Sequence, residues 1–293
     1  MKPAPATWRR FAFSADNRAV RWLLALALAG CSAATDEPDR TADRLAAGPP
    51  VDIYLIAGQS NAVGGARIDD LSEDGDRYGE PFDAVGFAQE LNCPTDGSED
   101  PCETSRGWRH LDSRGGVFGV ELSAGRRLRD RFGDQVVLLK HATNGSSLYA
   151  DWDSSGERIT LWNRMNEFLD QRLADLPEGS RVAGLFWIQG NADAQHADTA
   201  DAYADHLSWL VTRLRQERGC VPVVLDRLHA GTDYPYRDVV RAEQEGLPLL
   251  LDDIAVIDVD DLALRDDDPP QHYTADSFIT LGQRMANAMR GCD

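Results

Sequence analysis

The chain has 293 residues, of which 30 are basic and 49 acidic, for a formal net charge of −19, and 42% are hydrophobic. Such an acidic surface disfavours nucleic acid and anionic membrane as partners and favours solubility or neutral ligands. The length is ample for one large core.

In chain order, Lys2, Arg9, Arg10, Arg18 and Arg21 precede the apolar run Trp22-Leu-Leu-Ala-Leu-Ala-Leu-Ala-Gly-Cys31. This is the layout of a signal peptide over residues 1–30, and the run falls well short of the roughly 20 residues a spanning helix needs. Leu28-Ala29-Gly30-Cys31 resembles a bacterial lipobox. The resemblance implies cleavage before Cys31, lipidation of that cysteine, and an exported lipoprotein held at the cell envelope, facing the periplasm or sorted to an outer membrane. Residues 31–50 are small, polar and Pro-containing without apolar periodicity, and read as a flexible tether.

From residue 51 onward, apolar runs alternate with amphipathic segments. Strands are expected at 51–57, 135–141, 182–188, 221–226 and 254–258, and helices at 119–132, 160–175, 198–218, 236–246 and 276–290. Strands separated by helices run parallel with right-handed crossovers, which predicts an α/β domain over 51–293: a three-layer α/β/α fold around a five-stranded, mostly parallel sheet. Residues 65–118 break the rhythm, being long and rich in Gly and Asp, and are expected to form an insertion that walls the site.

Five cysteines are present; with Cys31 set aside, Cys93, Cys102, Cys220 and Cys292 remain to pair, and three pairings are open. Cys93 and Cys102 bracket a short polar loop suited to a local bridge worth about 2–3 kcal/mol by loop entropy, leaving Cys220 with Cys292. The Asp-rich loop between Cys93 and Cys102 matches no calcium-binding spacing and reads as a solvated loop.

Ligands in parallel α/β sheets bind at the carboxyl ends of the strands. There the sequence places Gly58-Gln59-Ser60-Asn61, His141 to Leu148 with Asn144-Gly145, Gln189-Gly190-Asn191 with Asp193, and, ahead of the last helix, Asp266-Asp-Asp268-Pro-Pro-Gln-His272. Together these blocks resemble the SGNH-hydrolase superfamily, in particular the carbohydrate acetylesterases related to sialate O-acetylesterases and acetylxylan esterases. Gly119-Val-Glu121-Leu, Lys140 to Leu148 with Trp152, and Trp187-Ile-Gln189-Gly190 match further blocks of that group, and the match runs over 51–290.

The resemblance implies a flavodoxin-like SGNH fold and a carbohydrate O-acetylesterase acting on an acetylated carbohydrate, with no cofactor or metal. Ser60 would be the nucleophile and His272 its general base. Ser60 N–H, Gly145 N–H and the Gln189 side chain would form the oxyanion hole. Gln59, Asn61, Asn144, Glu121 and Asn191 would support the site, Glu121 by holding loops through backbone N–H groups, and Asp193 would brace a site loop. His141 stands at the site edge as a substrate-side candidate, while His110, His196, His206 and His229 lack ligand spacing. Trp108 and Trp152 are candidates for sugar-stacking faces or for packing.

Two departures stand out. The family places an aspartate three residues before its histidine, whereas residue 269 here is proline, so Asp268 is the expected partner of His272, with Asp267 and Asp266 as alternatives. Asn191 replaces the usual glutamate. These departures motivate a second reading, a catalytically weak glycan-binding lipoprotein on the same fold. An esterase for long acyl chains is disfavoured because no long apolar run lies near Ser60.

Overall fold

We describe a computed structural model covering residues 39–72, 75–113, 116–153, 160–266 and 270–292. The expected signal peptide and Cys31 lie outside the described residues. Seven strands form the central sheet: β1 (Asp52–Gly58), β2 (Phe82–Leu91), β3 (Thr104–Leu111), β4 (Val136–Ala142), β5 (Arg181–Ile188), β6 (Val223–Asp226) and β7 (Ile254–Ile257). Their spatial order is β3-β2-β4-β1-β5-β6-β7. All neighbours are parallel except β2 and β3, which pair antiparallel.

The five expected strands are all present, in the doubly wound arrangement in which the chain leaves β1 in one direction and returns in the other. The strand count is the correction: the 65–118 insertion supplies β2 and β3, which lengthen one edge of the sheet. Alternation in β2 is broken by Gly86 and by the adjacent pairs Phe87-Ala88 and Gln89-Glu90, so periodicity hides it. The insertion opens and closes on a short antiparallel pair, Ala66–Arg67 against Val117–Phe118. No residue of 65–118 lines the candidate pocket among the described residues, so the insertion extends the sheet where a site wall was expected.

Helices cover both faces, as expected for parallel strands. After α1 (Thr41–Ala46) and the single-turn α2 (Ser60–Val63) come α3 (Glu121–Phe132), α4 (Leu161–Ala174), α5 (Tyr203–Arg218), α6 (Arg237–Leu250) and α7 (Ala275–Ala288). The period of two along β1 sends Ile53, Leu55 and Ala57 to the face carrying α4, α5 and α6, and Tyr54 and Ile56 to the face carrying α3 and α7. Tyr203, Leu207, Leu210 and Leu214 form the buried stripe of α5. Within the span expected to be a tether, residues 41–46 instead form α1, which packs Leu45 into the core.

Cys93 pairs with Cys102 and Cys220 with Cys292. No helix among the described residues is long and apolar enough to cross a membrane.

Candidate active site

The site is built where β1 and β5 end side by side, the point at which the sheet reverses direction. Gly58 ends β1 at φ +139°, and a Cβ there would sit 2.1 Å from the Ile188 carbonyl oxygen, so only glycine lets β1 pass that close to β5. The chain then turns into α2 with half-buried Ser60 as its first residue.

A pocket of about 440 Å3 opens over Ser60. Gln59, Asn144, Gly145, Asn191 and His272 share its lining, joined by Gln195, Tyr234, Arg265 and Gln271. The structure thus gathers the serine, the histidine, the Asn-Gly loop and Asn191 from four chain-distant blocks. Gly145 has φ +67°, a left-handed turn that glycine adopts without strain.

Buried side chains tie these blocks together. Gln59 Oε1 accepts from the Gly190 and Ala192 N–H groups, each at 3.2 Å, clamping the β5 loop to the β1 loop. Asp193, 1% exposed, accepts from Ser147 Oγ, Leu148 N and Tyr149 N, so one carboxylate holds the loop that carries Gly145. Glu121 accepts from Gly119 N at 2.9 Å and pairs with Lys140, whose Nζ also donates to the Val63 carbonyl at the end of α2. On the disulfide side, Asn92 Oδ1 accepts from Asn144 N, and Cys93 N donates to Thr143 Oγ1.

The histidine loop is held from the nucleophile block itself. Asn61 Nδ2 donates to the Gln271 carbonyl at 2.9 Å and Asn61 Oδ1 accepts from Tyr273 N at 3.4 Å, so one side chain grips the backbone on both sides of His272. Arg265 N donates to the His272 carbonyl at 2.7 Å. The Tyr234 hydroxyl takes a hydrogen bond from Asn191 and donates to Gln271 Oε1. Asn191 therefore faces the pocket and joins the β5 loop to the histidine loop.

Beneath the pocket a cavity of about 10 Å3, the volume of one water-sized sphere, is lined by Asn61, Gln189, Asn191, Asp226, His229 and Tyr273, among others. Tyr273 Oη donates to Asp226 Oδ2 at 3.1 Å. Burial pushes the Asp226 carboxyl up to about 7, with the Tyr273 bond opposing, and burial also raises the Tyr273 phenol. The sequence offered no signal for Asp226, because its partner is 47 residues away.

Several expected roles are redirected. Gln189 Nε2 donates to the Ser146 carbonyl and to Asp193 Oδ2, which commits both amide hydrogens below the pocket; Gln189 braces the loop and is not aimed at a substrate oxygen. Of the two roles open to Trp108 and Trp152, packing is the one observed, since both are buried in the core. His141 is fully buried, edge-on to Trp152, with Nδ1 3.4 Å from Glu90, and does not reach substrate. Glu90, Cys93 and His141 bring ligand-type atoms within 4.8 Å of one another, but the Cys93 sulfur is committed to its disulfide. Asp268 and Asp267 lie outside the described residues.

A doubly wound α/β domain with a serine and a histidine meeting in one pocket at the carboxyl edge of its sheet has the architecture of a hydrolase. The chain belongs to the carbohydrate esterase, sialic acid-specific acetylesterase family, whose model matches residues 50–291. A probable carbohydrate esterase of Arabidopsis thaliana is 27% identical over 140 residues, a match spanning 46% of this chain and 52% of the relative, about half its length. Among solved structures, an Arabidopsis thaliana protein superposes with TM-score 0.63 at 20% identity, covering 83% of this chain and all (100%) of its own. A carbohydrate acetylesterase from Xanthomonas citri gives 0.62 at 20% identity, over 81% of this chain and 55% of its own, and NanS gives 0.60 at 14%, over 82% and 96%. At these identities the superpositions establish a shared fold.

Proposed function

We propose that the chain removes O-acetyl groups from carbohydrates through an acetyl-Ser60 intermediate, with His272 as general base, while held at the cell envelope by a lipid on Cys31. The observation that carries the reaction is the shared pocket of Ser60, His272 and the Gly145 loop at the β1–β5 switch point. Family membership supports the substrate class, and the lipobox-like Leu28-Ala29-Gly30-Cys31 supports the anchor.

In this reading Ser60 Oγ attacks the acetyl carbonyl as His272 takes its proton. Negative charge gathers on the carbonyl oxygen, and N–H groups of Ser60 and Gly145 stabilise it; losing one such donor typically costs about 10²–10³ in rate. Collapse breaks the ester bond and His272 returns the proton to the departing sugar oxygen. Water, deprotonated by His272, then attacks acetyl-Ser60; the acyl carbon–Oγ bond breaks, His272 returns the proton to Ser60 Oγ and acetate leaves. Asn61 fixes the base beside the nucleophile, and Asp193 fixes the loop bearing Gly145. Asp266, Asp267 and Asp268 are the candidates to orient His272, with Asp268 favoured by its position in the sequence.

Acetate release by the full chain on p-nitrophenyl acetate and acetylated sugars tests the reaction. Ser60→Ala is expected to lower kcat by about 10³ or more. Equal release by the variant overturns the serine mechanism, and tight glycan binding with no turnover by the parent replaces it with the glycan-binding reading. Radiolabelled palmitate incorporation that is lost in Cys31→Ser tests the anchor; no incorporation overturns it.

A further inference from the structure

Few large apolar side chains are left in solvent among the described residues, and the aromatic ones are Tyr149, 47% exposed, and Trp209, 48% exposed. They belong to one strip. The Tyr149 ring packs on His206 with centroids 4.8 Å apart and planes tilted by 50°. His206 and Trp209 lie three residues apart on α5, a spacing that makes them neighbours on one helix face, about 5–6 Å apart at Cβ.

The strip is tied to the segments that line the pocket. Tyr149 follows Gly145 on the same loop, and its N–H is fixed by Asp193, which stands two residues after pocket-lining Asn191. The α5 helix starts eight residues after pocket-lining Gln195, and Trp209 stands one turn beyond His206. Rings held in water on the segments that carry a pocket mark a recognition surface, because their burial on binding returns apolar area that the fold leaves unused. The C–H face of a pyranose ring supplies a flat apolar surface of that size, and its rim hydroxyls remain solvated. Exposed Asp201 and Asp205 near the start of the helix, in a chain of net charge −19, disfavour a polyanionic strand.

We propose that Tyr149, His206 and Trp209 form a subsite for the unmodified sugars that flank the acetylated one, so that the preferred substrate is a neutral oligosaccharide or polysaccharide. The inference rests on the pocket being the acetylesterase site. Trp108 and Trp152, buried in the core, cannot offer such faces.

The test measures binding and turnover separately. Xylohexaose, cellohexaose and chitohexaose are titrated calorimetrically into the full chain carrying Ser60→Ala, alone and with Trp209→Ala or Tyr149→Ala. At least one hexaose is expected to bind, and loss of a ring to weaken it about three- to tenfold. In the Ser60-containing protein, Trp209→Ala is expected to raise KM on the acetylated form of that glycan by the same factor and to leave p-nitrophenyl acetate turnover unchanged. Tyr149→Phe, which keeps the ring, is expected to bind as the parent does. The subsite is overturned if no hexaose binds or if ring removal leaves affinity unaltered. Absence of Ser60-dependent p-nitrophenyl acetate turnover instead removes the esterase reading, and ring-dependent hexaose binding distinguishes that outcome.

Discussion

Around Ser60 the loops are tied by charged side chains, the Glu121–Lys140 pair and Asp193, whereas around His272 they are tied by Asn61, Tyr234, Gln271 and an aspartic acid that burial holds close to neutrality. The two sides fail differently when a brace is removed. A buried charge deprived of its partner carries the full cost of desolvation, so the nucleophile side is lost together with the fold around it. A neutral hydrogen bond is worth about 1 kcal/mol net, so the base side loosens by degrees. The arrangement makes the nucleophile side fail all at once when a brace is removed and the base side fail in small steps.

Lys140→Met strikes the charged side hardest. It leaves Glu121, 3% exposed, without its cation and is expected to cost about 3–5 kcal/mol in urea unfolding. Adding Glu121→Gln is expected to return most of that loss; a double variant as unstable as the single one would break the contrast. On the neutral side, Asn61→Ala removes both grips on the His272 backbone. Its expected cost is only about 1–2 kcal/mol, with kcat on p-nitrophenyl acetate down about tenfold and KM unchanged. A rise in KM alone would place Asn61 in substrate binding.

Asp226→Asn is the mildest change and the most specific. The folded carboxyl titrates near 7, above its ordinary 3.8, so the neutral acid stabilises the fold fully below about pH 4 and that contribution is lost as pH rises through about 7. Asparagine stays neutral and still accepts from Tyr273. The parent Tm is therefore expected to fall relative to that of the variant between pH 4 and 7, by several degrees in thermal scans. Parallel curves would show that Asp226 is already ionised in the fold.

Sequence pattern reached the five parallel strands because each is a short apolar run, and the residues it placed after strand ends, Ser60, Asn144, Gly145 and Asn191, share one pocket with His272 from ahead of the last helix. It missed β2 and β3 because an antiparallel edge pair with Gly86 and several polar residues carries no clean alternation. The working partners of Gln189 were also out of reach. A glutamine at a strand end reads as a donor to the site until Asp193 and the Ser146 carbonyl, which claim both its hydrogens, are seen beneath it. Trp108 and Trp152 stayed open between stacking and packing for a related reason: an aromatic ring in a loop block gives no sign of which way it faces, and both face inward. Lys140, the only lysine besides Lys2, reads as part of a strand and proves to be a buried cation only once Glu121 and the Val63 carbonyl converge on it.

The grip of Asn61 on both flanks of His272 has a mechanical consequence. Asn61 is the immediate chain neighbour of Ser60, so a displacement of the α2 turn is passed to the histidine loop in the same direction. Serine and histidine then travel as passengers on one carriage, and thermal drift moves both while leaving the gap between them nearly constant.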